Sequence, residues 1–444
     1  MNQFAKEIRF PLNGLGKAGG FRSYEPGDGS APFTTDCVNV WGRDTFLNRV
    51  RGGSRPGLAP FTDDFDGHWF WPNGEAILWP DGGTIPHGLA FDTMFDGIHV
   101  VDPHQHIDAT ATKGDIPSES KCTSYYRARL VISSGSTWYA SANDDYGNFD
   151  YGGDYENAGR AVAGNVGLAN RTGDEITCIA SVEDTRLYVA TQNGLWVYNG
   201  ELTTGERVCI SPEVGIVGPS AWTWNGNSLF FLSPRGIYRL TPGQELAAVS
   251  TQLPDGLRNA SAATVLCFDP EFEGIHVLNV GDGKTYFMET SGAIWPETFA
   301  VAGLVPKSCV RVENRGVRKV VFRCADNGLR HFKREVNDSG SAISSRVVLG
   351  PVRLSRHDSL AAVTNFITAI FAKNSANVTV TVRTADSAET CLDGTGEAFT
   401  FTADWQQKNR CRLRGAWCSI ELASVGRWAY ESIGLRGATF RRYR

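Results

Sequence analysis

Residues 185–200 read TRLYVATQNGLWVYNG, an apolar run, a two-residue turn and a second apolar run, and this stretch decides the fold. Leu187 and Val189 precede the turn at Asn193-Gly194, and Leu195 and Val197 follow it. Alternation at period two marks strands whose side chains point to opposite faces. Asn-Gly supplies the positive φ angles of primed hairpin turns. The unit recurs in residues 227–240 (NSLFFLSPRGIYRL), 274–288 (GIHVLNVGDGKTYFM) and 319–332 (KVVFRCADNGLRHF). The turn glycines Gly194, Gly236, Gly283 and Gly328 are 42, 47 and 45 residues apart, the period of four-stranded propeller blades of about 40 to 50 residues. Upstream, Gly147 lies 47 residues before Gly194, and residues 97–109 fall one further step back. About six blades fit, seven if residues 68–79 (HWFWPNGEAILW) count. A ring of such sheets buries each face against its neighbours and removes most exposed edges. The rival reading is a series of β-sandwiches with accidental spacing.

The pattern changes after Arg346. Residues 377–385 alternate Val378, Val380 and Val382, and period-two segments recur at 398–404, 410–424 and 428–437, which predicts a separate C-terminal β-sandwich. Residues 360–372 read as a further strand, with a helix as the alternative. The first sixty residues are crowded with Gly, Pro and Asp and lack periodicity, which suits an extended arm packed on another surface. The expected organisation is therefore an all-β chain with an N-terminal arm (1–60), a β-propeller (61–345) and a C-terminal β-sandwich (346–444).

Composition agrees. The chain has 444 residues with 49 glycines, 11% aromatics and only 3 methionines, a mixture that suits short strands and tight turns rather than long helices. The formal charge of -5 argues against a general nucleic-acid binder. The charge is uneven, however: residues 405–444 carry nine Lys and Arg against Glu421 and Glu431, so this segment is +7 and the remainder -12. No apolar targeting segment opens the chain and no stretch is long enough for a membrane-spanning helix, so folding in the cytoplasm without stable membrane insertion is expected. The 10 cysteines lack CxxC spacing and read as free, buried thiols.

Chemistry-bearing clusters are few. His99, His104 and His106 form the one histidine cluster, with Asp102 beside it. A metal pair on one strand face is the chemical reading; a hairpin turning at Asp102-Pro103 with solvent-facing imidazoles is the simpler one. Residues 143–157 (NDDYGNFDYGGDYEN) gather Asp144, Asp145, Asp150, Asp154 and Glu156 among Tyr146, Tyr151 and Tyr155. They lack a calcium-loop register and read as a surface loop that docks on a partner through its aromatics. The basic end, with Arg436, Arg441, Arg442 and Arg444, is a second docking candidate, for an acidic protein surface or nucleic acid. No GxSxG, HExxH, P-loop or GxGxxG motif stands in a fitting context, so neither catalysis, a metal nor a cofactor is expected.

Four phrases resemble bacteriophage virion proteins of the tail-nozzle or tail-tube type: FPLNGLGK (10–17), APFTTDCVNVWGRDTFLNRVRGGSRPGL (31–58), ISPEVGIVGPSAWTWNGNSLFFLSPRGIYRL (210–240) and RLRGAWCSIELASVGRWAYESIGLRG (412–437). The resemblance runs loosely over most of the chain and carries no functional residue with it. It implies a non-enzymatic β-propeller subunit of the virion, a homo-oligomer of six copies below the portal and adaptor proteins. DNA would pass through the ring without sequence-specific binding, and tail fibres or spikes would dock outside. Two other readings compete: a receptor- or glycan-binding tail-tip protein using the tyrosine loop, and a propeller enzyme that degrades glycans.

Overall fold

Four antiparallel four-stranded sheets and three strands of a fifth follow one another between Thr123 and Lys333. The computed structural model describes residues 6–10, 12–15, 34–44, 52–61, 76–78, 84–86, 94–95, 99–102, 107–110 and 113–439, except 116–121, 153–155, 168–172, 251–252, 282, 315–316, 327, 355–360, 373–374, 395 and 403–406. The first sheet comprises Thr123–Tyr126, Arg129–Ser134, Thr137–Ala140 and Val162–Asn165. The second comprises Ile176–Val182, Arg186–Thr191, Leu195–Asn199 and Glu206–Ser211. The third and fourth run from Trp222 to Ser250 and from Val265 to Glu297 in the same up-and-down order. Each of the four hairpins expected around Gly194, Gly236, Gly283 and Gly328 is the second and third strand of such a sheet.

The sheets stack side by side, as blades of a β-propeller do. Val131 and Trp138 of the first sheet share a core with Leu187, Val189 and Tyr198 of the second, and Trp138 Nε1 donates to the Tyr198 hydroxyl at 2.9 Å. Inner strands are joined directly: Leu266 N donates to Ser220 O at 2.8 Å, and Phe268 N to Thr223 Oγ1 at 2.8 Å. Upstream, Ala76–Leu78 pairs with Thr84–Pro86, and His99–Asp102 pairs with both Met94–Phe95 and Ile107–Thr110.

Three turn expectations change. Gly236 and Gly283 do have positive φ, at 139° and 72°, but Gly328 does not, and neither does Gly194. Its amide donates to Thr191 Oγ1 at 3.0 Å, and a Cβ there would meet the Trp196 ring at 2.3 Å, so close packing demands the glycine. Gly147 is not the hairpin turn of its sheet. That turn holds Gly135, with φ 57°, 59 residues before Gly194. Gly147 belongs to an excursion between the third and fourth strands that breaks the period.

The fifth sheet has Pro306–Asn314, Val317–Cys324 and Leu329–Lys333, and its fourth strand is Gly57–Pro60 from far upstream. The stretch assigned to an N-terminal arm is thus divided between two bodies. Lys6–Arg9 pairs with Tyr430–Thr439, and Thr34–Val38 with Ser344–Arg353, so both enter the C-terminal sheets. One of these is ordered Thr34–Val38, Ser344–Arg353, Trp417–Val425, Val378–Ala385 and Gly396–Phe401. The other joins Lys6–Arg9, Tyr430–Thr439 and Ala361–Phe371, with Gln407–Asn409 and Leu413–Gly415 along the last edge. Residues 361–371 are therefore strand rather than helix. Val378, Val380 and Val382 are fully buried, and Phe371 of one sheet meets Phe401 of the other edge-on, ring centroids 6.2 Å apart.

A side chain at Gly57 would stand 2.0 Å from Asn337 O, so the fourth strand fits only where residue 57 has none. Gly57→Val is expected to cost about 2–3 kcal/mol, read as a lower urea midpoint together with new proteolytic cleavage near residues 57–60.

Candidate functional site

The most elaborate polar arrangement among the described residues lies where the propeller sheets meet the C-terminal sheets, and it is built from residues 39–44 and 52–58. Arg55 is at its centre. Its side chain is 0% exposed and that of Asp338 is 2% exposed. Nη1 donates to Asp338 Oδ1 at 2.8 Å and to Pro56 O at 2.9 Å; Nη2 donates to Asp338 Oδ2 at 2.6 Å and to Thr298 O at 3.1 Å; Nε donates to Asn39 Oδ1 at 3.0 Å. Five donors thus meet five acceptors, the full capacity of a guanidinium. The planar cation also covers the Phe299 ring, 4.6 Å from its centroid, a contact that gains strength where water is excluded.

The partners extend the site. Asp338 Oδ1 also accepts from Leu58 N at 3.0 Å, fixing the start of the closing strand. Asn39 Nδ2 donates to Ser344 O at 2.8 Å, and Asn39 Oδ1 accepts Thr298 N at 2.8 Å. On the other side Ser54 N donates to Trp428 O at 2.9 Å, Trp428 N donates to Ser54 Oγ at 3.0 Å, and Tyr430 N donates to Gly52 O at 2.9 Å. A Cβ on Gly53 would lie 2.2 Å from Trp428 O, which explains the second glycine of RGGSRPGL. Nine residues, 52–60, therefore bond first to the C-terminal sheets and then to the fifth propeller sheet.

Trp41 carries the apolar side of the same junction. It stacks on Phe287 with centroids 3.9 Å apart and meets Phe272 and Phe332 edge-on. Its Nε1 donates to Glu297 Oε1 at 2.9 Å, and Thr285 Oγ1 donates to Glu297 Oε2 at 2.9 Å. Beside it His276 stacks on Phe332, and its Nε2 lies 3.2 Å from Asp269 Oδ2. Asp269 is itself held by the Glu271 and Phe272 amides. His276 and Glu297 are 0% and 1% exposed, so these ionisable groups hold the core together and have no route to a substrate. Among the described residues no three His, Cys, Asp or Glu are arranged to hold a metal.

The sequence-predicted docking residues lie elsewhere. Tyr146 and Tyr151 pack against Leu130, Ile132 and Phe149. The Tyr146 and Tyr125 hydroxyls are 3.3 Å apart, and the Tyr151 ring is 5.7 Å from that of Tyr139. Burial pushes the Tyr151 phenol above its usual range. The loop is anchored by buried Arg129, which donates to Ser141 O, Arg160 O and Ala158 O. Both rings are half-buried, so part of each serves the loop's own packing and part is open to solvent. Arg436 stands opposite Glu7 and Phe366 in the strand register, and His99 lies in a strand paired on both sides. Tyr155, Arg441, Arg442, Arg444, His104 and His106 lie outside the described residues. Sequence reasoning missed Arg55, Asp338, Asn39, Trp41, Glu297, Asp269 and His276. Asn39, Trp41 and Arg55 stand inside a phrase already noticed, whereas nothing local marks the others.

No family model and no curated protein matches the chain. Solved structures do. A virginiamycin B lyase from Staphylococcus aureus with quinupristin is 10% identical with a TM-score of 0.36, covering 66% of this chain and 95% of its own. A streptogramin B lyase is 10% identical with a TM-score of 0.34, covering 68% and 96%. The extracellular domain of a hybrid two-component system from B. thetaiotaomicron is 12% identical with a TM-score of 0.32, covering 53% and 31%. Likeness at this level carries no argument about activity.

Two measurements probe this chemistry. Asp338→Ala leaves a buried guanidinium without its carboxylate and is expected to cost about 3–5 kcal/mol in urea unfolding, whereas the apolar pair Arg55→Met with Asp338→Leu recovers most of that loss. All ten cysteines are free, nine buried and Cys209 exposed. Burial pushes the Cys324 thiol up to about 11 and the Cys411 thiol up to about 12, so neither supplies thiolate at pH 8. A thiol reagent at pH 8 is expected to titrate one cysteine quickly in the native protein and ten in guanidinium chloride.

Proposed function

We propose that the chain is a structural subunit of a bacteriophage tail nozzle, a β-propeller of about six blades joined to a C-terminal β-sandwich, and that copies of it form a ring, six in number, around the path of the DNA. It works by assembly rather than catalysis, in the virion, with portal-adaptor proteins above and fibres or spikes outside. One observation carries this reading. The phrase that resembles tail-nozzle proteins, residues 31–58, contains Asn39, Trp41, Gly53, Ser54, Arg55 and Gly57, the residues that build the buried junction. The resemblance thus falls on a buried, hydrogen-bonded joint between two sets of sheets, which suits a part that holds its shape while neighbours are attached to it and DNA moves past. The inward packing of Tyr146 and Tyr151 weighs against a glycan platform on that loop.

Mass photometry of the purified protein, alone and with the other tail components, tests the proposal. The expected outcome is a ring, formed alone or with partners, with interfaces above ~1,000 Å² per contact. A chain that stays monomeric with every tail component and binds glycan instead would overturn it.

A further inference from the structure

The segment QKNRCRLRG, residues 407–415, forms one edge of a C-terminal sheet through two short strands, Gln407–Asn409 and Leu413–Gly415, joined by residues 410–412. Asn409 pairs with Ile367 and Leu413 with Val363, so a single register runs through both ends. Along it Arg410, Arg412 and Arg414 occupy alternate positions, which in extended backbone recur about every 6.6–6.8 Å on one side. The opposite positions go inward: Cys411 is fully buried and Leu413 half-buried, while Arg410, Arg412 and Arg414 are exposed. None of these three guanidinium groups has a carboxylate partner among the described residues. Around this row the 405–444 segment is +7, while the rest of the same chain is -12.

We infer that the row Arg410, Arg412 and Arg414 is the basic half of a contact between two copies of this chain, whose acidic half lies on the propeller sheets. The inference rests on the ring reading above and names its interface. A chain that carries both signs on separate surfaces is complementary to its own copies, and joining unlike surfaces head to tail is the geometry that closes rings. The described counter-surface is one end of the second sheet, where the strand register brings Val182, Arg186, Asn199 and Glu206 side by side. Glu183, Asp184 and Glu206 are exposed there and lack a basic side-chain partner among the described residues. Glu201 at the same end is taken by Arg127 at 2.9 Å.

A competing role is edge protection, since charged side chains keep open sheet edges from pairing with other chains. Reversal of charge separates the two, because glutamates protect an edge as arginines do. The triple variant Arg410→Glu, Arg412→Glu, Arg414→Glu is expected to lose the oligomer at ~0.1 M salt with a tenfold or greater rise in its dissociation constant. Its thermal unfolding should match the parent, and the corresponding Arg→Lys variant should still assemble. Mixing the Glu variant with Glu183→Lys, Asp184→Lys, Glu206→Lys protein is expected to restore mixed assemblies. An oligomer indifferent to reversal sinks the inference and leaves the ring reading standing. A parent protein that is monomeric under all conditions sinks both. Retardation of a DNA fragment that disappears in the Glu variant while the oligomer persists assigns the row to nucleic acid and overturns the contact between copies.

Discussion

The ion pair between Arg55 and Asp338 is the constraint on which the rest of the chain depends. Removing two charges from water is costly, and their attraction offsets that cost only if the remaining hydrogen-bonding capacity is also used. Here every guanidinium donor is taken, and the carboxylate accepts the Leu58 amide besides. The geometry is therefore demanding. Asn39, Thr298, Pro56 and the 337–342 hairpin must all arrive together, and with them the chain on either side of Arg55 is fixed. One direction leads into the C-terminal sheets through Ser54 and Trp428; the other becomes the outer strand of the fifth propeller sheet.

The apolar counterpart lies on the fourth sheet. Its outer strand, Ile294–Glu297, is buried along its whole length, unlike that of the second sheet, where Glu206–Ser211 is largely exposed. Leu15 bonds to Ile294 and Asn39 to Pro296, so the N-terminal segment covers an edge that would otherwise be open to pairing. Trp41 then fills the space beneath, its ring against Phe287 and its indole nitrogen on Glu297. A covered edge and a filled pocket are two results of one docking event.

Much of this fold could be read from hairpins, because apolar alternation and tight turns leave a local trace. Leu187, Val189, Leu195 and Val197 announce buried inner strands, and each is fully buried. Outer strands leave less trace. Gly57–Pro60 is four residues with a glycine and a proline, which reads as loop, yet an outermost position tolerates proline because its amide side faces no ladder. The junction was illegible for another reason: Arg55 and Asp338 are 283 residues apart, and an arginine between Ser and Pro or an aspartate in Asn-Asp-Ser-Gly looks like ordinary turn sequence. The tyrosine loop was legible only in part, because composition shows which rings are present but not that a buried arginine anchors the loop that carries them.

The closing strand also sets a timetable for folding. Residues 57–60 leave the ribosome early, but their partners at 329–333 are made much later, and Ser54 must wait for Trp428, 374 residues downstream. Lys6–Arg9 waits longer still, for Gly434–Gly437. The propeller sheets in between are assembled from neighbours in sequence and can form as they emerge, whereas residues 6–9 and 52–54 have no settled place until residues 428–437 have been made. Contacts of such long range slow folding and leave unpaired strands exposed meanwhile. Residues 6–9 are thus made long before they can be placed, and the arrival of residues 430–437 becomes the event that shuts the fold.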